Sequence, residues 1–246
     1  MPAQEIFENS LLTRYPLKYT WRNDVLYDFD EGMVELMEFR LVYEGPLPSG
    51  GNSSRHVKYK HLIRKQLHPQ LSRLWHEHPA LAHKWKVMPD GPVYDILRQA
   101  RLVKNVPGIN EVEMLARQFD RCGFRFVPLV NKRFDLVCSL NILFLRRGNP
   151  GDLIAVGGDI DNRIKTLFDA LRIPKDGSEI SEQPGADENP FFCLLEDDSL
   201  ITEFNVTTDR LLRPARTDEG EAEVVLIIQV TVKATEINLE NLQLMS

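Results

Sequence analysis

Cysteine is scarce in this chain of 246 residues: Cys122, Cys138 and Cys193 are odd in number, and none stands in a CxxC or Cys/His ligand spacing. That argues against a disulfide framework and against a zinc ribbon, and it leaves buried thiols as the plain reading. Long apolar runs are missing as well. The richest, VVLII at 224–228, falls far short of the roughly 20 residues a bilayer span requires. The amino-terminal MPAQEIFENSLL shows no basic-then-apolar signal pattern, so the expectation is a cytoplasmic protein with no membrane and no organic cofactor. No internal repeat is visible. Excess positive charge is absent too: the formal net charge is −6, which taken alone speaks against a nucleic-acid partner.

The sum conceals a segregation. Lys and Arg set against Asp and Glu leave −5 over residues 1–54, +11 over 55–147 and −12 over 148–246. A basic middle ahead of an acidic carboxy-terminal part suits a protein whose acids bind cations while its bases meet a polyanion; two faces of a dimer interface would explain it equally. The six histidines all fall between His56 and His83, yet no pair has a known metal-ligand spacing and the stretch is otherwise basic and helix-like.

With 43% hydrophobic and 27% charged residues, the composition is that of one large globular domain. Residues 1–33 read as an extension and 34–246 as the domain, with a basic helical elaboration at 55–121. ELMEFRLVYEG (35–45) alternates like a strand, and GPLPSGGNSS (45–54) is a loop by its Pro, Gly and Ser. VKYKHLIRKQLHPQLSRLW, VYDILRQARLV and NEVEMLARQFDRCG have helical periodicity, with Pro69 expected to interrupt the first. GFRFVPLV and RFDLVCSLNILFLRR read as a hairpin joined at Asn131 and Lys132, the second strand directing Phe134, Leu136, Cys138, Leu140, Ile142 and Phe144 to one face. An acidic insertion at 173–190, a strand around SLITEFNV and a β-branched strand EVVLIIQVTVK complete the chain. The fold class is α+β, a largely antiparallel sheet flanked by helices.

The densest chemistry lies in GGDIDNRIKTLFDALRIP, 157–174. Ile164, Leu167, Phe168 and Leu171 fall at i, i+3, i+4 and i+7 and define one buried helical face. Asp161 suits the N-cap, which leaves Asp159 in extended chain, where side chains two apart point the same way. Asp161, Lys165 and Asp169 then line one exposed edge. Helix capping and surface ion pairs of about 0.5 kcal/mol account for such a pattern without any function. A second acidic group, Asp197 and Asp198 in LLEDDSLI (194–201), changes the weighting. Carboxylates brought together repel one another unless a cation neutralises them, and hard oxygen ligands without His or Cys point to Mg²⁺ or Mn²⁺.

DIDNRIKTLFDAL followed by EDDSLI resembles the signature of the RusA family of Holliday-junction endonucleases, a DxDN-xx-K-xxx-D-x-L helix and a later DD-x-x-V/I strand. The matching residues are Asp159, Asp161, Asn162, Lys165, Asp169, Leu171, Asp197, Asp198 and Ile201. GPLPSGGN (45–52), ending at Asn52, is similar to the family's Pro-rich loop. The likeness spans roughly half the chain and implies a RusA-like fold, a homodimer, and metal-dependent cleavage of branched DNA in recombination and repair. It further implies that Asp159, Asp161 and Asp198 ligate the metal, that Lys165 acts beside them, and that Asn162, Asp169 and Asp197 support.

The chain departs from the family where Arg or Lys precedes the DxD and a Lys follows the DD pair by about ten residues. AVGG and Thr208 stand there. Arg146, Arg147 and Arg210 lie near enough in sequence to substitute, and Arg64 and Lys65 of the basic segment are further candidates for phosphate contact. Trp75 and Trp85 read as core. The alternatives are a RusA-like binding module that no longer cuts, and a nuclease of the same chemistry acting on another nucleic acid.

Overall fold

The computed structural model describes residues 33–49, 54–87, 99, 108–147, 159–213, 223–238, 241 and 244. The expected extension, the helix proposed over VYDILRQARLV apart from a helical Gln99, and Asn52 lie outside them. Within them the fold is α+β, with four helices and two sheets, largely antiparallel.

The larger sheet is built from the alternating segments. β1 (Val34–Pro46) pairs antiparallel with β7 (Glu223–Ala234), and β7 pairs antiparallel with β4 (Leu136–Arg146). β6 (Ile201–Arg210) then runs parallel to β4 at the far edge, for the order β1-β7-β4-β6. Period-two alternation sends Phe39, Leu41 and Tyr43, Leu140, Ile142 and Phe144, and Leu226, Ile228 and Val230 to one fully buried face, as a sheet packed on one side requires. Helix α1 (Ser54–Glu77) closes the outer edge of β1 with two glutamines one turn apart. Gln70 accepts from Val42 N–H and donates to Val42 C=O, and Gln66 does the same for Glu44. These side chains satisfy edge groups that would otherwise invite a further strand. They also flank Pro69, which sits inside an unbroken helix rather than ending it: tertiary anchors on both adjoining turns, with Leu67, Leu71 and Trp75 in the core, outweigh the lost backbone hydrogen bond.

The expected hairpin at 131–132 does not form. β3 (Phe124–Val130) and β4 belong to different sheets: β3 lies between β2 (Asp120–Arg121) and β5 (Phe191–Leu195) in a three-stranded sheet, parallel to β5. Asn131 is fully buried and directs the chain away. Its amide donates to Pro128 and Leu129 carbonyls and its oxygen accepts from Phe134 N–H, starting a 3-10 turn at Lys132–Phe134 that ends on left-handed Asp135. β5, FFCLL, is buried along its whole length and was not anticipated. Helices α2 (Pro79–Ala82) and α3 (Glu111–Gln118) pack nearby, α3 capped by Asn110. Between them Lys84 meets Glu111 at 2.6 Å, both buried, with the ammonium 4.7 Å from the Phe134 ring centroid. Trp75 is core, and Trp85 packs beside it, donating to its carbonyl.

Helix α4 (Asp159–Leu171) follows the predicted apolar face, with Ile164, Leu167 and Leu171 buried. It begins at Asp159, two residues earlier than expected, so Asp159 and Asp161 both lie within it. Helical spacing of two does not set side chains face to face as an extended segment would. No helix among the described residues is long and apolar enough to cross a membrane.

Candidate active site

The exposed edge of α4 carries Asp161, Asn162 and Lys165. Among the described residues, none of these three side chains enters a hydrogen bond or ion pair. Of Asp159 only the backbone, as the first helical residue, is described. Asp169, expected on the same edge, has a different fate. Its carboxylate meets Lys60 at 2.7 Å and Arg172 at 2.9 Å, and Arg64 donates to its backbone carbonyl. Burial raises the Asp169 pKa, and the two cations outweigh that and hold it below the usual carboxylate range. Asp169 is a structural anchor between α4 and α1.

The second acidic group divides in the same way. Glu196 accepts from Lys132 N–H. Asp197 caps the 3-10 turn Asp198–Leu200, taking hydrogen bonds from the Ser199 hydroxyl and amide, which depress its pKa. Asp198, half-buried, is left without a partner among the described residues. Asp198, rather than Asp197, is thus the carboxylate available for chemistry.

Position along the helix matters for a shared ion. Arg172 and Ile173, just past the last turn of α4, bridge to Leu195 at the end of β5, and Asp198 follows three residues later. Asp161 belongs to the first turn. Thirteen residues of helix span about 20 Å, and the turn of Asp198 does pack against α4. Among the described residues, no three His, Cys, Asp or Glu side chains gather closely enough to hold a metal ion. Of the expected three carboxylates, the side chains of Asp161 and Asp198 are among the described residues and that of Asp159 lies outside them.

Two of the expected phosphate-binding cations are otherwise engaged. Arg64 is 2% exposed, donating to the carbonyls of Asp169 and Glu179; burial, foremost, lowers its pKa to about 10. Lys65 pairs with Glu182 and Glu188 at 2.9 and 3.2 Å. The acidic insertion lies along α1 as a strap, with Glu179 also holding Arg172 and the Asp187 carbonyl meeting His68. Burial removes Arg64 from any surface role, and ion pairing covers Lys65. Arg147 has a partner, whereas Arg146 and Arg210 have none among the described residues. One feature had no sequence signal beyond its type: Phe204, 54% exposed on β6, with its ring 5.2 Å from that of Phe168. A lone Phe in an alternating strand reads as core, whereas this one stands on the outermost strand of the sheet and is more than half exposed.

No family model, curated protein or solved structure matches the chain.

Proposed function

We propose that the protein is a metal-dependent endonuclease acting on branched DNA, of the kind its acidic signature resembles. The observation that carries the reading is a division of labour. Of the signature's polar side chains, Asp169 and Asp197 are held by structural partners, while Asp161, Asn162, Lys165 and Asp198 stand free among the described residues. A polar helix edge kept only for solubility need not sort itself in that way.

Asp159, Asp161 and Asp198 are the residues that would hold a divalent ion such as Mg²⁺ or Mn²⁺. Such an ion supplies orientation of the phosphodiester and activation of water. Lys165, one turn from Asp161, offers an ammonium to a phosphate oxygen on which charge develops. Asn162 offers an amide in the same turn. An Asp161–Lys165 pair at helical spacing would be worth only about 0.3–0.5 kcal/mol, so a phosphate competes for Lys165 without difficulty. The homodimer that the resemblance implies is part of this proposal.

The test incubates synthetic four-way junctions, forks and linear duplex with the protein and Mg²⁺ or Mn²⁺, beside an Asp161→Asn variant. Paired nicks near the branch point, absent with the variant, are expected. Equal cutting by the variant would exclude the site. A second reading, a binding module that does not cut, is permitted by AVGG and Thr208 standing where the family has basic residues; tight junction binding with no nicks at any metal concentration would establish it.

A further inference from the structure

Arg146 and Arg210 are register partners on the parallel strands β4 and β6, with Leu211 N–H bonded to Arg146 C=O just beyond. Register partners on neighbouring strands project from the same face about 4.8 Å apart. Two guanidiniums in that relation repel one another, and among the described residues neither has a counter-charge. Arg210 is exposed and Arg146 half-buried. Alternation fixes the face. Arg146 continues the row Leu140, Ile142, Phe144, and Arg210 continues Phe204, Val206, Thr208, which is the face on which Phe168 of α4 meets Phe204. No acid belongs to either row. The acids of β6, Glu203 and Asp209, project from the opposite face, where Glu203 lies 3.9 Å from Lys233.

The same end of the sheet receives the amino-terminal half of α4. Arg146 lies opposite Val224, Val224 lies opposite Gly45, and Arg163 of α4 donates to the Leu47 carbonyl two residues farther on. The arginine pair and the amino-terminal half of α4 therefore lie toward the same end of the sheet, the pair at its β6 side and the helix start at its β1 side. Farther along that face Phe204 presents an aromatic ring, more than half exposed and backed by Phe168.

We propose that Arg146, Arg210 and Phe204 hold one unpaired nucleic-acid strand along the α4-facing side of β6, the arginine pair clamping backbone phosphate and Phe204 stacking a base. The proposal rests on the endonuclease reading for the identity of the polyanion, and it adds to the branched DNA of that reading a contact with a single-stranded stretch, such as the unpaired arm of a fork. A phosphate between the two guanidiniums turns a repulsion into two charge-assisted contacts. Stacking on an exposed ring needs a base whose face is free, which a closed duplex does not offer.

The test measures binding without cutting: fluorescence anisotropy of labelled oligothymidylate, and of a duplex of equal length, in EDTA between 50 and 200 mM salt (roughly the range over which counterion release is read). The wild type is expected to favour the single strand. Arg146→Gln with Arg210→Gln should weaken that binding about tenfold and flatten the log–log salt dependence by about 1.4, at roughly 0.7 per single-strand phosphate contact. Phe204→Ala should weaken it roughly tenfold with the salt dependence unchanged. Arg73→Gln, on the exposed Glu77 pair of α1, serves as a control for loss of any surface cation, and thermal melting checks that each variant folds. Wild-type preference for duplex, or variants that bind like the wild type, overturns the clamp. Junction cutting that survives alongside either result leaves the endonuclease reading standing, whereas a wild type that neither binds nor cuts removes both.

Discussion

His78 sits at the junction of α1 and α2, 6% exposed, and its Nδ1 accepts the Ala80 N–H as the N-cap of α2. Burial pushes its pKa down from 6.5 to about 4. The folded state therefore resists a proton that the unfolded chain accepts near pH 6.5. Stability due to this group is complete above that pH and declines as pH falls towards 4, where the native imidazole at last protonates and its Nδ1 can no longer accept. A drop of about 2.5 units at 1.36 kcal/mol each amounts to about 3 kcal/mol. His78→Asn keeps an oxygen that can cap the helix and removes the titration. Urea denaturation of both proteins from pH 7.5 to 4 gives the difference in unfolding free energy, from which the other histidines cancel. That difference should move by about 3 kcal/mol in favour of the variant as pH falls. A difference independent of pH would refute the assignment of a buried, neutral, capping imidazole.

Four further outcomes follow from the same contacts. Glu111→Gln leaves Lys84 charged and buried, and should cost about 3–5 kcal/mol in chemical denaturation. Arg172→Met removes the guanidinium shared by Asp169 and Glu179 and should cost a similar roughly 3–5 kcal/mol, with the strap becoming open to proteolysis. Glu182→Gln breaks the exposed pair with Lys65 and should change stability by less than about 1 kcal/mol by the same method. Asp161→Asn, on an exposed residue without a structural partner, should leave the melting midpoint within the shift of about 0.5 kcal/mol while nicking is lost.

The parts of the fold that were legible in the sequence are those in which one face alone is buried. β1, β4, β7 and α4 alternate or repeat cleanly because their other side meets solvent, and the periodicity passes directly into the pattern of burial. β3 and β5 are covered on both faces, so FRFVPLV and FFCLL carry no alternation, and their parallel pairing joins segments some sixty residues apart in sequence. The hairpin expectation failed at a single residue. Asn131 reads as a turn former, but its three hydrogen bonds close a 3-10 turn that carries the chain from one sheet to the other. Pro69 misled for the opposite reason: its local cost is real, and the glutamine anchors on β1 that override it are contacts across more than twenty residues. At the candidate site, the sequence named the acidic residues and left their employment open. Nothing in EDDS distinguishes the carboxylate that caps a turn from the one that is free, because the distinction depends on which amide lies within reach.

The segregated charge of the chain shows how a sequence-level sum can be physically real and still be answered in part within the fold. Lys60, Arg64 and Lys65 of the basic segment meet Asp169, Glu179, Glu182 and Glu188 of the acidic one. The two blocks thus hold each other, the strap against α1, and a polyanion need not be invoked for those cations. What such pairing fails to neutralise becomes informative. On the face of the larger sheet that meets α4, Arg146 and Arg210 remain uncompensated, and on α4 itself Asp161 and Lys165 remain free among the described residues. Exposed charges are inexpensive to leave in water, but two like charges fixed in register by a strand ladder are not placed there by solvation. If the clamp is real, charge reversal at one of them should act in opposite directions on stability and on binding. Arg210→Glu pairs with Arg146, which removes the repulsion and raises the unfolding free energy by a few tenths of a kcal/mol, while single-strand affinity falls. A protein stabilised by a substitution that also weakens its hold on nucleic acid has that residue in place for the ligand; an Arg210→Glu variant that loses stability along with binding places the arginine in the fold instead.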